Sequence, residues 1–120
     1  MNYLSTEEIL YIHNRIVEEF DGKHGVVEPR TLKKAIKYIR NNEVFPDLES
    51  KTAALLFAIG KKKPFLSLNK KTAIAATYLF LENNKKTWDI ESEIVTNFFK
   101  NQFDNAKLEE IKTLVGNSTK

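Results

Sequence analysis

Apolar residues recur at helical spacing along most of the chain. Ile9, Ile12, Ile16 and Phe20 form the first stripe, and Ser5-Thr6-Glu7-Glu8 before it has the form of a capping box. This predicts a first helix over 6–20. His13 falls on the same stripe, where the pattern favours a buried, hydrogen-bonded packing role over metal ligation. Asp21-Gly22-Lys23-His24-Gly25 then breaks the helix, two close glycines marking a turn that needs positive φ. Pro29 opens a second helix with Leu32, Ala35, Ile36 and Ile39 inward, and Asn41-Asn42 stops it. Residues 41–46 are helix-poor, either an extended flap or a plain connection. Asp47 is placed to cap a third helix that turns Thr52, Leu55, Leu56 and Ile59 inward and ends at Gly60.

A basic loop, Lys61-Lys62-Lys63-Pro64-Phe65, leads into the next helix, with Pro64 holding the loop extended and Asn69 as N-cap. From Thr72 to Leu81 there is no charge in ten residues, the mark of a helix buried on every side. Its small residues Ala73, Ala75 and Ala76 allow close approach of neighbouring helices, and Asn83-Asn84 ends it. Asp89 is expected to cap a fifth helix with Ile90, Ile94, Val95, Phe98 and Phe99 inward; these aromatics read as core, not as a base-stacking platform. A sixth, over 106–115, carries Leu108, Ile111, Leu114 and Val115, and residues 115–120 are expected to fray. The fold class is therefore all-α, a six-helix bundle around a central apolar helix, with residues 1–120 as a single domain.

Composition narrows the function. At 120 residues the chain buries enough surface to fold without staples, and it has no cysteine, so disulfides, thiolate-bound zinc and a cysteine nucleophile are excluded. The first residues turn acidic without an apolar run, unlike a signal peptide, and no stretch approaches the roughly 18 apolar residues of a membrane span. A cytoplasmic monomer with no membrane contact is expected. The 19 basic residues nearly match 16 acidic ones, for a net charge of +3. They bunch at 61–63, 70–71 and 85–86, which keeps a nucleic-acid-binding module as an alternative, although the mild net charge makes nucleic acid the weaker choice of partner.

The basic loop and the helix start after it make the strongest candidate site. Free amides at a helix N-terminus, the positive end of its dipole and nearby ammonium groups all favour an anion, and phosphate is the commonest biological one. Asn69, Lys70, Lys71 and Thr72 are the candidate phosphate-binding residues. No other enzyme signature competes. Lys71-Thr72 lacks the glycine and preceding strand of a P-loop, the two histidines have no partner four residues away, and no serine lies in a nucleophile elbow.

The stretch Lys63-Pro64-Phe65-Leu66-Ser67-Leu68-Asn69-Lys70-Lys71-Thr72-Ala73 resembles the signature of the Fic/Doc family, in particular its death-on-curing branch, written H-P-F-x-D-(G or A)-N-K-R-T-A. Pro64, Phe65, Asn69, Lys70, Thr72 and Ala73 match. Leu4 to His13 is similar to the family's opening segment, Gly25-Val26-Val27-Glu28-Pro29 lies where the branch often has G-V-R-D-P, and Ala53 to Leu56 and Phe80 to Asn84 fit the helices around the motif. The resemblance spans nearly the whole chain. It implies a helical bundle in which the motif histidine takes a proton from a target hydroxyl and the motif acid holds magnesium on a nucleotide. Most members move AMP onto a protein hydroxyl; the death-on-curing branch is associated with toxin–antitoxin pairs and phosphorylates a translation elongation factor. ATP and magnesium are the implied cofactors, and an antitoxin and an elongation factor the implied partners. Asn69, Lys70 and the helix-start amides would contact phosphates, Thr72 would support the turn, and Lys70 matches the branch-specific lysine.

The departures fall on the chemistry. By place in the motif the candidate catalytic positions are Lys63 and Ser67, but Lys63 stands where the histidine belongs, and an ammonium of ordinary pKa, about 10.4, has no free lone pair at neutral pH. Crowding by neighbouring lysines would have to lower it by about three units. Ser67 replaces the carboxylate, a neutral oxygen where magnesium favours an anionic one, so no metal ligand is assigned. Leu68 replaces the small residue beside the phosphates, and Lys71 replaces an arginine and loses its bidentate fork. Pro64, Phe65 and Leu68 are structural members of the motif. Two readings follow: a degenerate, catalytically silent or weak relative that works by binding, or an active toxin that transfers phosphate or AMP onto a translation factor with unusual residues.

Overall fold

Six α-helices carry the chain in the computed structural model, which describes residues 1–120: α1 Thr6–Phe20, α2 Pro29–Tyr38, α3 Leu48–Leu56, α4 Asn69–Asn83, α5 Glu93–Asn101 and α6 Leu108–Ser118. A π-helical turn, Phe57–Lys61, extends α3, and a 3-10 turn, Phe103–Asn105, follows α5. The caps follow the local chemistry. Ser5 Oγ accepts from the Glu8 amide at 3.1 Å while the Glu8 carboxylate accepts from the Ser5 amide at 3.0 Å, and Asp47 accepts from the Ser50 amide at 2.8 Å. Such caps each stabilise a helix by about 0.5–2 kcal/mol.

The uncharged helix is the centre of the bundle, as its composition predicts. α4 buries Thr72, Ala73, Ala76, Thr77, Phe80 and Leu81 and packs against α1, α3 and the π turn. Full burial of Phe80 or Leu81 contributes about 1.5–3 kcal/mol each. A second aromatic layer closes the other end, where Phe99 lies 5.7 Å from Phe98, 5.0 Å from Phe103 and 6.0 Å from Trp88, centroid to centroid.

Several expectations are corrected. α5 is capped by Ser92, not Asp89, and Ile94 points to solvent, 64% exposed, because the helix starts at Glu93 and turns Val95, Phe98 and Phe99 inward. Phe20, expected on the inner stripe of α1, is 47% exposed. Residues 41–46 form a turn, with Asn41 Oδ1 accepting from the Glu43 and Val44 amides and Phe45 tucked into the core. Residues 115–120, expected to fray, are folded: α6 runs to Ser118, Thr119 bridges Trp88, and Thr87 and Lys120 exchange backbone hydrogen bonds of 3.1 and 2.8 Å. Buried Trp88 donates its indole N–H to Ser118 Oγ at 2.9 Å, which pins that tail. Lys51, on a helix read only for its apolar residues, is 1% exposed and donates to the Ile39 carbonyl at 2.8 Å. No helix is long and apolar enough to cross a membrane.

Candidate functional site

The basic loop is held by three parts of the fold. Backbone pairing with the segment between α1 and α2 supplies the first: Val27 donates to the Pro64 carbonyl at 2.7 Å, Leu66 donates to the Gly25 carbonyl at 3.0 Å, and Val26 bridges Phe65. α1 supplies the second. His13, 2% exposed, stacks on Phe65 with ring centroids 3.9 Å apart and planes 7° from parallel, and its Nε2–H lies 3.0 Å from the Ser67 carbonyl. The third is Asn69, whose side chain accepts from the Phe65 amide at 2.9 Å and donates to the Phe65 carbonyl at 3.0 Å. Each residue closes a backbone group that the irregular loop leaves open.

The expected cap at Asn69 is not formed, because that side chain is engaged with Phe65. Asn69 is instead the first residue of α4, and Leu68 precedes it at φ 58°, a left-handed conformation that costs a non-glycine residue about 1–2 kcal/mol. The small residue of the family pattern suits that geometry; Leu68 retains the geometry and places its side chain against Gly22, where any Cβ would collide with it. Gly22 is required for this close approach, while the positive φ expected of that turn falls on Gly25, 137°, and on Asp21, 55°. The amides of Asn69, Lys70 and Lys71 have no protein acceptor, so the anion-attracting end of α4 is free.

The two catalytic positions are far from base and ligand chemistry. Lys63 is exposed, with φ 52°. Ser67 Oγ accepts from the Lys23 amide at 2.8 Å and donates to the Lys23 carbonyl at 2.9 Å, which engages both its proton and a lone pair. Magnesium requires hard, largely anionic oxygens, and the residues present do not fit it. Pro64 and Phe65 are buried, as structural motif members should be.

The candidate phosphate-binding residues diverge. Lys70 Nζ pairs with Asp104 at 3.0 Å and lies 3.3 Å from the Phe99 carbonyl. Lys71 Nζ stands 4.3 Å from the Phe20 ring centroid. Thr72 is fully buried and its hydroxyl has no hydrogen-bond partner, so it lies under the helix start, out of reach of an anion in solvent. The free amides, Lys63 and Lys71 are what remains available.

Asp104 escaped the sequence reading, although it is the lone acid between Lys100 and Lys107. Lys70, through a hydrogen bond and its charge, with Lys63 and Lys61 beyond it, holds the Asp104 carboxyl below the usual range. Lys61 Nζ secures the same turn by donating to the Phe103 and Asp104 carbonyls at 2.9 and 2.6 Å. Asp104 thus occupies Lys70 as an external anion would. Replacing Asp104 with asparagine is expected to raise affinity for inorganic phosphate about two- to fivefold, read by calorimetry; unchanged affinity would show that Lys70 does not face the bound anion.

Burial holds the His13 imidazole below the ordinary histidine range, outweighing the Ser67 carbonyl that favours the charged ring, with His24 adding a smaller push downward. Between the lowered value and the unfolded one near 6.5 the unfolded chain binds more protons, so stability is present above about pH 6.5 and is lost as pH falls through that window. Urea midpoints should therefore fall more for wild type than for His13→Phe on going from about pH 7.5 to 5.5. Equal falls would assign the effect to other groups.

No curated protein matches this sequence. The sequence profile of the Fic/DOC family, however, matches residues 3–81, from just before α1 through the clamped loop and nearly to the end of α4. That span takes in the loop and the residues that clamp its backbone, leaving outside it only the α5 end and turn, Phe99, Phe103 and Asp104, that meet Lys61 and Lys70, and on it the chain belongs to the Fic/DOC family.

Proposed function

We propose that the protein is a Doc-like member of this family in which group transfer has been lost or is weak, and that it works by binding. The observation that carries this reading is at the two motif positions: an exposed ammonium at Lys63, and a hydroxyl at Ser67 closed onto the Lys23 backbone. Neither provides a proton acceptor or an anionic metal ligand. The free amides of Asn69 to Lys71 support weak affinity for a phosphate group, including that of ATP, without the metal. An antitoxin or a translation elongation factor is the partner class that the death-on-curing likeness suggests.

The test is transfer of label. Incubated with α- or γ-labelled ATP, magnesium and a cell lysate, wild-type protein is expected to label nothing, while Lys63→His/Ser67→Asp labels a protein. Wild-type labelling would establish the active reading in place of this one.

A further inference from the structure

The net charge of +3 conceals an uneven distribution. From Pro29 to Asn42, α2 and the turn after it, the chain carries Arg30, Lys33, Lys34, Lys37 and Arg40 and no acid. Those five hold more than the whole of the net charge, so the rest of the protein, with its 16 acidic residues, is net negative. All five are exposed, and none pairs with a carboxylate, since the ion pair of this structure joins Lys70 to Asp104. Arg30, Lys33, Lys34 and Lys37 fall within about 100° of helical arc over about 10 Å, opposite Leu32 and Ile36, which are buried. α2 thus turns a positive rail to solvent.

The rail borders an apolar groove of about 950 Å³ between α2, the π turn and the start of α6. Lys34, Lys37 and Arg40 stand on one side of it, and Lys62, the single member of the 61–63 run that reaches it, on the other. No acidic residue lines it. Tyr38, 53% exposed, is fixed there edge-on against Phe45, with centroids 5.4 Å apart and planes at 82°. Phe57 lines the groove with the Lys62 ammonium 6.0 Å from its ring centroid. The Arg40 guanidinium is seated 4.8 Å from the centre of the Tyr3 ring.

We propose that this face binds single-stranded nucleic acid, with phosphates along the α2 rail and bases in the groove. Unpaired cations in a row suit a phosphate backbone, whose charges also repeat along one line. Aromatic rings in a groove stack on bases irrespective of sequence, at about 1–3 kcal/mol per base. One ligand then uses both halves of the surface. A duplex keeps its bases inside and would leave the groove empty, a flat lipid surface would meet the rail and miss the floor, and a carboxylate-bearing chain supplies charge without the π faces of bases. None of Asn69 to Thr72 lines the groove, so this inference is separate from the proposal for the motif loop.

The probes are fluorescein-labelled oligo-uridine and oligo-thymidine of about 12 nucleotides, read by anisotropy against the full chain at about 50 mM salt. Saturable binding of either is expected, and a preference between them tells RNA from DNA. The logarithm of affinity should fall against that of salt with a slope of about −2 to −3.5, the value for roughly three to five phosphate contacts on a single strand. Lys34→Glu/Lys37→Glu should weaken binding at least about tenfold, while Lys86→Glu/Lys100→Glu, the same change of charge outside the groove, leaves it within about twofold. Tyr38→Ala should cost at least about fivefold and Tyr38→Phe should not, and an abasic strand of the same length and charge should bind at least about fivefold more weakly than oligo-thymidine. All the altered residues are exposed, and circular dichroism checks that each variant is folded. Absence of saturation below about 1 mM, equal binding of the abasic strand, equal or tighter binding of a duplex, of polyglutamate or of phosphatidylserine vesicles, or equal losses in the two charge-reversed variants would each overturn the proposal.

Discussion

Truncation of Phe103 to alanine is expected to cost about 3–5 kcal/mol, a large part of the 5–15 kcal/mol that holds a typical domain together. Phe103 is 1% exposed and touches Phe98 and Phe99 from its 3-10 turn, and its ring also closes over Gly60 in the π turn. A Cβ at Gly60 would lie 2.5 Å from Phe103 Cζ and 2.9 Å from Cε2, contacts that no side chain sustains. Gly60→Ala should therefore destabilise by about 1–3 kcal/mol through overpacking. In a Phe103→Leu background the clash is gone, and the same change should be nearly neutral or stabilising, because alanine exceeds glycine in helix propensity by up to about 1 kcal/mol. Urea denaturation of the four proteins measures the coupling; additive effects would mean that the ring and the glycine do not meet.

The second large effect concerns the metal. Magnesium is expected to leave wild-type affinity for ATP no higher than it is in EDTA, because Ser67 Oγ is held between the Lys23 amide and carbonyl and offers no charge. Ser67→Asp gives up those two hydrogen bonds, at about 0.5–1.5 kcal/mol each, and should create a magnesium-dependent gain in ATP affinity on the order of tenfold. Combined with Lys63→His it should bring transfer at least about 100-fold above wild type, the usual scale of a general base. Calorimetry with and without magnesium reads the first, and label incorporation the second. A wild-type affinity that rises with magnesium would place an unrecognised ligand at the loop.

Much of the bundle was legible in the sequence because its signals are local. The Ser5 box, Pro29, the Asp47 cap and the uncharged run before Asn83 each act within one helix, and each element formed where it was expected. The misreadings depend on partners outside the helix concerned. Asn69 has the chemistry of a cap, yet the irregular loop at Phe65 claims its side chain, and the start of α4 is left to Leu68. The tail after Val115 lacks apolar periodicity, but Trp88, 30 residues earlier, anchors it through Ser118. At the site, the Lys63 and Ser67 departures could be read residue by residue. Their surroundings could not, since Lys23 and Asp104 approach only in the folded chain.

The central claim is that the amine at position 63 does no chemistry. Purified protein, ATP labelled at the α or γ phosphate, magnesium and a purified hydroxyl-bearing acceptor, a translation elongation factor being the first to try, allow a direct count of label per acceptor. Wild type and Lys63→Ala are expected to give the same background level. Incorporation by wild type that vanishes in Lys63→Ala would contradict the account.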